Sequence, residues 1–204
     1  MAYPVTFNIE QPEKFNRAQV VLRLLIVILL AFVANALGWI YGLIYLALPV
    51  LAAIFISQKG ARTYLDESRN GMQRWLRFII GFYAYLHLLT DRIPEDKPTD
   101  PVHYAITPTG SPSVGQALLR IILGIPHVIV LFFLGIVAFV LMVVAAIMIL
   151  VQESYPAGIY GFLRGYVRWQ ARLLAYMASL VDEYPPFAFD TGPEADPAPA
   201  TPAT

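Results

Sequence analysis

Apolar and polar positions run through the same order twice along this chain. Residues 3–10 alternate apolar Tyr3, Val5, Phe7 and Ile9 with polar neighbours, the period-two pattern of a half-buried strand, and Pro4 and Pro12 confine that strand to an edge. Residues 101–107 repeat the alternation. The two segments are expected either to pair with each other or to lie extended on a surface. A long apolar block follows each of them. From Ala18 to Ser57 the chain is apolar apart from Gln19, Arg23, Asn35 and the tyrosines. A spanning helix takes ~20 residues, so residues 18–57 predict a transmembrane hairpin turning at Asn35–Gly38, with Trp39, Tyr41 and Tyr45 at the far interface. The second block contains no polar side chain from Val128 to Val151. Alone it reads as one long helix after an interfacial segment ending at Pro126–His127; the repeated order favours a hairpin over 117–151 that turns near Phe132–Gly135.

An amphipathic segment closes each half. In residues 159–182, Ile159, Phe162, Leu163, Tyr166, Trp169, Leu173, Tyr176 and Leu180 share one helical face, with Arg164, Arg168 and Arg172 on another. In residues 70–91, Met72, Trp75, Leu76, Ile79, Tyr83 and Leu86 oppose Arg74 and Arg77. Such helices fit a membrane interface with anionic lipid under Arg74, Arg77, Arg164, Arg168 and Arg172, or equally a helix packed on the apolar blocks. Pro94 and Pro185 are expected to end them.

The two halves align residue by residue. A shift of 91 places Arg77, Ala84–Tyr85, Leu89, Asp91 and Pro94 under Arg168, Ala175–Tyr176, Leu180, Asp182 and Pro185. A shift of 97 matches Pro4–Val5, Phe7 and Ile9 with Pro101–Val102, Tyr104 and Ile106, and Gln19, Leu22 and Arg23 with Gln116, Leu119 and Arg120. The six-residue difference fits an insertion in the polar loop at 63–70. The expected fold is therefore an all-α membrane protein of two tandem repeats, each a short strand, a transmembrane helical hairpin and an interfacial amphipathic helix. Repeat 1 covers 1–94 and repeat 2 covers 100–188, joined by a proline-rich linker at 95–99. The Pro- and Ala-rich tail at 189–204 is expected to be disordered.

Composition agrees with a membrane class, since 58% of residues are hydrophobic and 14% charged. Zero net charge gives no support to nucleic-acid binding. The absence of cysteine excludes disulfides and thiolate metal sites. Ala34–Asn35–Ala36 resembles a signal-peptide cleavage site, but Glu10, Glu13 and the strand pattern before the apolar run argue against a leader. All charges lie away from the expected hairpin tips, which would put both termini on the cytoplasmic side of a bacterial inner membrane.

Candidate chemistry is sparse. His87, His103 and His127 are scattered, and no nucleophile, phosphate or dinucleotide motif is present. His127 is the sharpest candidate as an ionisable side chain in a membrane segment, although its N–H is also suited to a carbonyl freed by Pro126. Asp91 and Asp182 sit at helix C-termini, where a carboxylate needs a compensating cation, and Arg92, Arg23 or Arg120 is the expected partner.

The chain resembles a bacterial membrane family defined only as a domain of unknown function. The resemblance rests on Tyr3–Pro4–Val5, Ile125–Pro126–His127, Arg168–Trp169, Arg172, Ala175–Tyr176, and Asp182 with Tyr184, Pro185, Pro186 and Phe187. The first half departs from it, with Gly81 in place of Arg172 and Arg92–Ile93–Pro94 in place of Glu183–Tyr184–Pro185. The resemblance implies an architecture and no activity. The expected function is non-catalytic, with no cofactor: an accessory or scaffold subunit of a larger membrane complex, a homo-oligomer, or a membrane-shaping protein. The alternative is a small oligomeric transporter or channel with His127, Arg23 and Arg120 lining a path. A lipid-modifying enzyme using Asp91, Asp182 and His127 is third.

Overall fold

A computed structural model of the chain describes residues 3–12, 14–68, 71–95 and 100–190. Within its first long helix the side chains of Leu24 and residues 26–42 are not described. Most of the 95–99 linker, the tail from 191, and the expected interfacial side chains of Trp39 and Tyr41 thus lie outside the described residues. In chain order the elements are β1 (Val5–Ile9), α1 (Arg17–Lys59), α2 (Ala61–Ser68), α3 (Met72–Leu86), β2 (Val102–Ile106), α4 (Val114–Gln152) and α5 (Ala157–Met177).

The two strand patterns do pair. β1 and β2 form an antiparallel ribbon centred on Phe7 opposite Tyr104, with Val5 opposite Ile106 at one end and Ile9 opposite Val102 at the other. Their alternation buries Val5, Phe7, Ile9, Val102, Tyr104 and Ile106, and leaves Thr6, Glu10, His103 and Ala105 exposed.

Neither apolar block turns back on itself, so the hairpins expected over 18–57 and 117–151 are corrected. α1 runs through Asn35–Gly38 and α4 through Phe132–Gly135 as unbroken helices. An unbroken helix satisfies its interior N–H and C=O groups internally, whereas a turn inside an apolar block must find other partners for them. A glycine in a helix interior costs only about 1 kcal/mol by comparison. The N-termini are well capped. Asn16 accepts from the Ala18 N–H, and Ser113 forms a reciprocal capping box with Gln116.

The two long helices are antiparallel. Arg17 at the start of α1 donates to the Val151 carbonyl at 3.2 Å and pairs with Glu153 just past the end of α4. At the other end, Tyr64 in α2 donates to the Ala178 carbonyl, beside the Tyr176 carbonyl that Arg120 of α4 holds. Charges therefore stand at both ends of the pair, and the one-sided distribution that hairpins would have created is absent. The expectation of two cytoplasmic termini loses its premise. Between α1 and α3 the expected polar loop is largely helical: α2 follows Gly60 after a bend of 119°.

α5 packs on α4 and α1, β1 packs on α5, and β2 packs on α3. The order of layers is thus sheet, then α3 and α5, then α1 and α4. The sheet is tied down by two equivalent arginines. Arg77 Nε of α3 donates to the Tyr104 carbonyl at 3.3 Å, and Arg168 Nε of α5 donates to the Phe7 carbonyl at 3.1 Å.

α3 and α5 stop well before Pro94 and Pro185. Each ends on a residue in the left-handed region, Leu88 at φ 61° and Ser179 at φ 55°. In both, the next amide reaches back to a carbonyl five residues earlier, Leu89 to Ala84 and Leu180 to Ala175. Pattern reading missed these stops because glycine is the usual residue there. Ser179 is fully buried and its hydroxyl has no partner among the described residues. Ser179→Gly relieves the left-handed strain and removes that orphan, and is expected to raise stability by about 1 kcal/mol. Leu88→Gly is expected to lower stability, because Leu88 is also buried and its side chain contributes about 2 kcal/mol. Thermal unfolding of both variants in one detergent checks the opposite signs.

Candidate functional site

Two clusters of the same composition sit at the two ends of the long helix pair. In the first, Arg23 of α1 is 1% exposed and donates through Nη2 to Asp91 Oδ1 at 2.6 Å. Its guanidinium lies 4.2 Å over the Tyr85 ring. Asp91 also accepts from the Asn16 amide at 2.9 Å, and Tyr85 donates to Gln19 Oε1 at 3.0 Å. In the second, Arg120 of α4 is 3% exposed, donates to Asp182 Oδ1 at 2.7 Å, and lies 4.4 Å over the Tyr176 ring. Each arginine is about one and a half turns inside its helix, so the helix fixes its depth while the turn after α3 or α5 delivers the carboxylate.

The clusters differ in how completely they are satisfied. Arg120 Nη1 donates to the Tyr176 carbonyl at 2.5 Å and the Val181 carbonyl at 2.7 Å. Arg23 Nε and Nη1 are buried with no partner among the described residues. Thr109 braces the second carboxylate: its hydroxyl accepts from the Asp182 amide at 3.0 Å and donates to Glu183 at 2.6 Å. Gly110, at φ +74°, lies so close that a Cβ there would stand 1.6 Å from Asp182 Oδ2. An open cleft of about 430 Å³ flanks the first pair, lined by Gln19, Asp91, Arg92, Glu95 and Asp100.

His127 lies elsewhere on α4, fully buried. Trp169 Nε1–H donates to its Nδ1 at 3.0 Å, which leaves the proton of a neutral ring on Nε2, and Nε2 has no partner among the described residues. Phe187 stacks on the imidazole at 4.0 Å and 12°, and Tyr184 is tilted against it at 4.8 Å. The expected bond from the imidazole to a carbonyl freed by Pro126 is not made; it is the Tyr184 hydroxyl that donates to the nearby Leu123 carbonyl, at 3.0 Å. Pro185 is buried and Pro186 half-buried, so the Tyr184–Phe187 segment forms a strap over His127 and Trp169.

Arg168 and Arg172 do not face lipid, which corrects their expected role. Arg168 is 7% exposed and is spent on Phe7 and, at 3.7 Å, on Asp190. Arg172 is fully buried, donating to the Ala188 and Phe189 carbonyls at 3.0 and 2.8 Å. α5 is covered on nearly all sides, and a buried guanidinium must use its donors on backbone oxygens. Of the expected basic stripe, Arg74 is exposed and Arg77 and Arg164 are half-buried.

Structure thus joins Arg23 with Asp91, Arg120 with Asp182 and Tyr176, and His127 with Trp169, Tyr184 and Phe187; the last two groups touch where the Tyr176 and Tyr184 rings meet edge to face at 5.7 Å. The roles of Tyr85, Thr109 and Gly110 were missed. Only the alignment of Tyr85 with Tyr176 signalled the first of them. Burial raises the Tyr176 phenol above its ordinary value, with Arg120 pulling the other way. Burial lowers His87 below its ordinary value, partly offset by its bond to the Tyr83 carbonyl. Among the described residues no group of three His, Cys, Asp or Glu side chains stands close enough to hold a metal ion.

A domain of unknown function, DUF4389, is found at residues 115–188, which take in α4, α5, Arg120, His127 and the Tyr184–Phe187 strap. Neither a curated protein nor a solved structure matches the chain.

Proposed function

We propose that this chain is a non-catalytic membrane protein, a scaffold or membrane-shaping element built from two copies of one unit. The observation that carries the membrane reading is the apolar surface of α4. From Leu118 to Val151 it leaves Ile122, Ile125, Ile129, Phe132, Ile136, Val140, Ile147 and others between 36% and 67% exposed. Only 22% of its most apolar stretch is buried. A contiguous exposed strip of this size in water would be an aggregation site, and lipid is the solvent that removes the cost. α1 adds Val21, Leu22, Leu25, Leu43, Leu46 and Ile54 to the same kind of surface.

The non-catalytic reading is supported by where the polar groups go. Arg23, Arg120, Arg168 and Arg172 hold carboxylates and carbonyls of the chain itself, so their charges fasten layers together. Duplication is supported by the self-equivalent strand register and by the matched Arg–Asp–Tyr clusters. Because Arg77 of the first unit ties the second unit's strand and Arg168 ties the first unit's, the units interlock. A protease site placed in the 95–99 linker is therefore expected to be cut without separating the halves, which co-elute on size exclusion in detergent; halves that part on cutting argue against paired units. The membrane reading is tested by carbonate extraction of native membranes, with the chain expected in the pellet. Recovery in the supernatant overturns it. Extraction in mild detergent followed by mass spectrometry distinguishes a scaffold, found at fixed stoichiometry with a partner, from a chain that shapes membrane alone.

A further inference from the structure

We propose that α1 and α4 lie in the plane of the membrane, embedded in the acyl region of a single leaflet with the two-stranded sheet facing water, and do not cross the bilayer. This rests on the membrane reading above and deepens it by naming the surface the protein engages. Three observations carry it.

The first is length. The exposed strip on α4 is continuous from Leu118 to Val151, roughly 50 Å at 1.5 Å per residue. The hydrocarbon core is ~30 Å thick. An upright α4 would leave about 20 Å of apolar surface in headgroups or water, and fitting it by tilt alone takes more than about 50°, beyond the 0–40° that spanning helices adopt.

The second is the position of the sheet. The Ile9–Val102 end of the ribbon lies toward the Arg23–Asp91 cluster, where Pro101 and Asp91 line one cleft. The Val5–Ile106 end lies toward the Arg120–Asp182 cluster, where the Tyr3 hydroxyl reaches the Glu183 carbonyl. The ribbon is thus midway along the helix pair. Upright helices would hold its outer face at the bilayer midplane, with Glu10 and His103, paired at 3.2 Å and 61% and 50% exposed, in hydrocarbon. Ionisable groups are not left facing lipid at that depth.

The third is the layer order. Sheet, then α3 and α5, then α1 and α4 makes a slab with a polar face and an apolar face, the profile of a helix pair lying in the interface. Both ends of the pair carry charge, Arg17 with Glu153 at one and Lys59 with Glu67 at the other. Two ends reaching one headgroup level satisfy both.

The chain has no cysteine, so single cysteines report cleanly. Ser111→Cys and Ser154→Cys flank α4, and Ala105→Cys marks the sheet; all three are expected to react with a membrane-impermeant maleimide from the same side of the native membrane. Leu119→Cys, Ile136→Cys and Ile147→Cys carry a fluorophore along the exposed strip. In vesicles of phosphatidylethanolamine and phosphatidylglycerol with doxyl-labelled lipids, the three are expected at one shallow depth, about 5–10 Å below the headgroup boundary. Labelling of Ser111→Cys and Ser154→Cys from opposite sides overturns the proposal, as does Ile136→Cys near the midplane with the other two shallow, the signature of a hairpin or a span. Recovery of the unmodified chain in the carbonate supernatant is a different failure, since it defeats the membrane reading itself.

Discussion

Asp91→Ala is expected to cost about 3–5 kcal/mol of stability, the range for uncovering a buried charge, while Asp182→Ala costs about 1–3 kcal/mol. The two aspartates occupy matching places, so the difference lies in their arginines. Arg23 is 1% exposed, and Asp91 is its one hydrogen-bond acceptor among the described residues. Without the carboxylate, the guanidinium keeps only the Tyr85 face. Arg120 loses Asp182 but retains the Tyr176 and Val181 carbonyls on Nη1. Asp91→Asn keeps one acceptor oxygen for Arg23 but turns its NH2 toward the Asn16 amide, and is expected to fall between wild type and alanine. Denaturant unfolding of the variants in one detergent measures this; equal losses at the two sites would mean that the carbonyl contacts of Arg120 contribute nothing.

Gly110→Ala should be nearly as damaging, for a steric reason. Gly110 combines a φ of +74° with a Cβ position 1.6 Å from Asp182 Oδ2. The left-handed backbone alone costs an alanine ~1 kcal/mol. The methyl must also push the carboxylate off Arg120, which brings the total to about 3 kcal/mol. Gly60, at φ +81° and ψ 158° with no atom within 4 Å of its would-be Cβ, carries backbone strain alone, and Gly60→Ala is expected to cost about 1–3 kcal/mol. In the Asp182→Ala background the carboxylate is gone and only the residue 182 Cβ, 2.9 Å from the added methyl, still obstructs, so Gly110→Ala should add about 1–2 kcal/mol there, a non-additivity expected of contacting residues. Full additivity would place the damage elsewhere than at the ion pair.

Each of these effects turns on geometry that composition and periodicity do not carry. The strands were legible because alternation depends only on which face of a short extended segment is buried, and Tyr3 to Ile9 and Val102 to Ile106 alternate cleanly. The apolar blocks and the helices after them were legible for the same reason. Arginine partners for the carboxylates were expected from a helix C-terminal place that Asp91 and Asp182 do not hold, since α3 ends at Leu86 and α5 at Met177. What went wrong was the path of the chain inside the apolar blocks. Asn35 and Gly38 have turn chemistry, yet a long helix tolerates both, and the sequence holds no signal for how far two apolar helices run before they meet another layer. Arg168 and Arg172 were misread because an arginine stripe looks the same whether it meets lipid phosphate or backbone carbonyls of distant segments such as Phe7 and Phe189.

By itself, then, the sequence determined the two strands, the matched Arg, Asp and Tyr positions, and the long apolar stretches that became α1 and α4, since all three follow from local pattern and from residue type. Tertiary structure alone decided that α1 and α4 are continuous and antiparallel, that Arg77 of α3 holds β2 while Arg168 of α5 holds β1, and that Gly110 must stay bare beside Asp182. Those outcomes depend on contacts between residues as far apart as Phe7 and Arg168, whose free energy is set by packing and satisfied donors, and no local pattern encodes them.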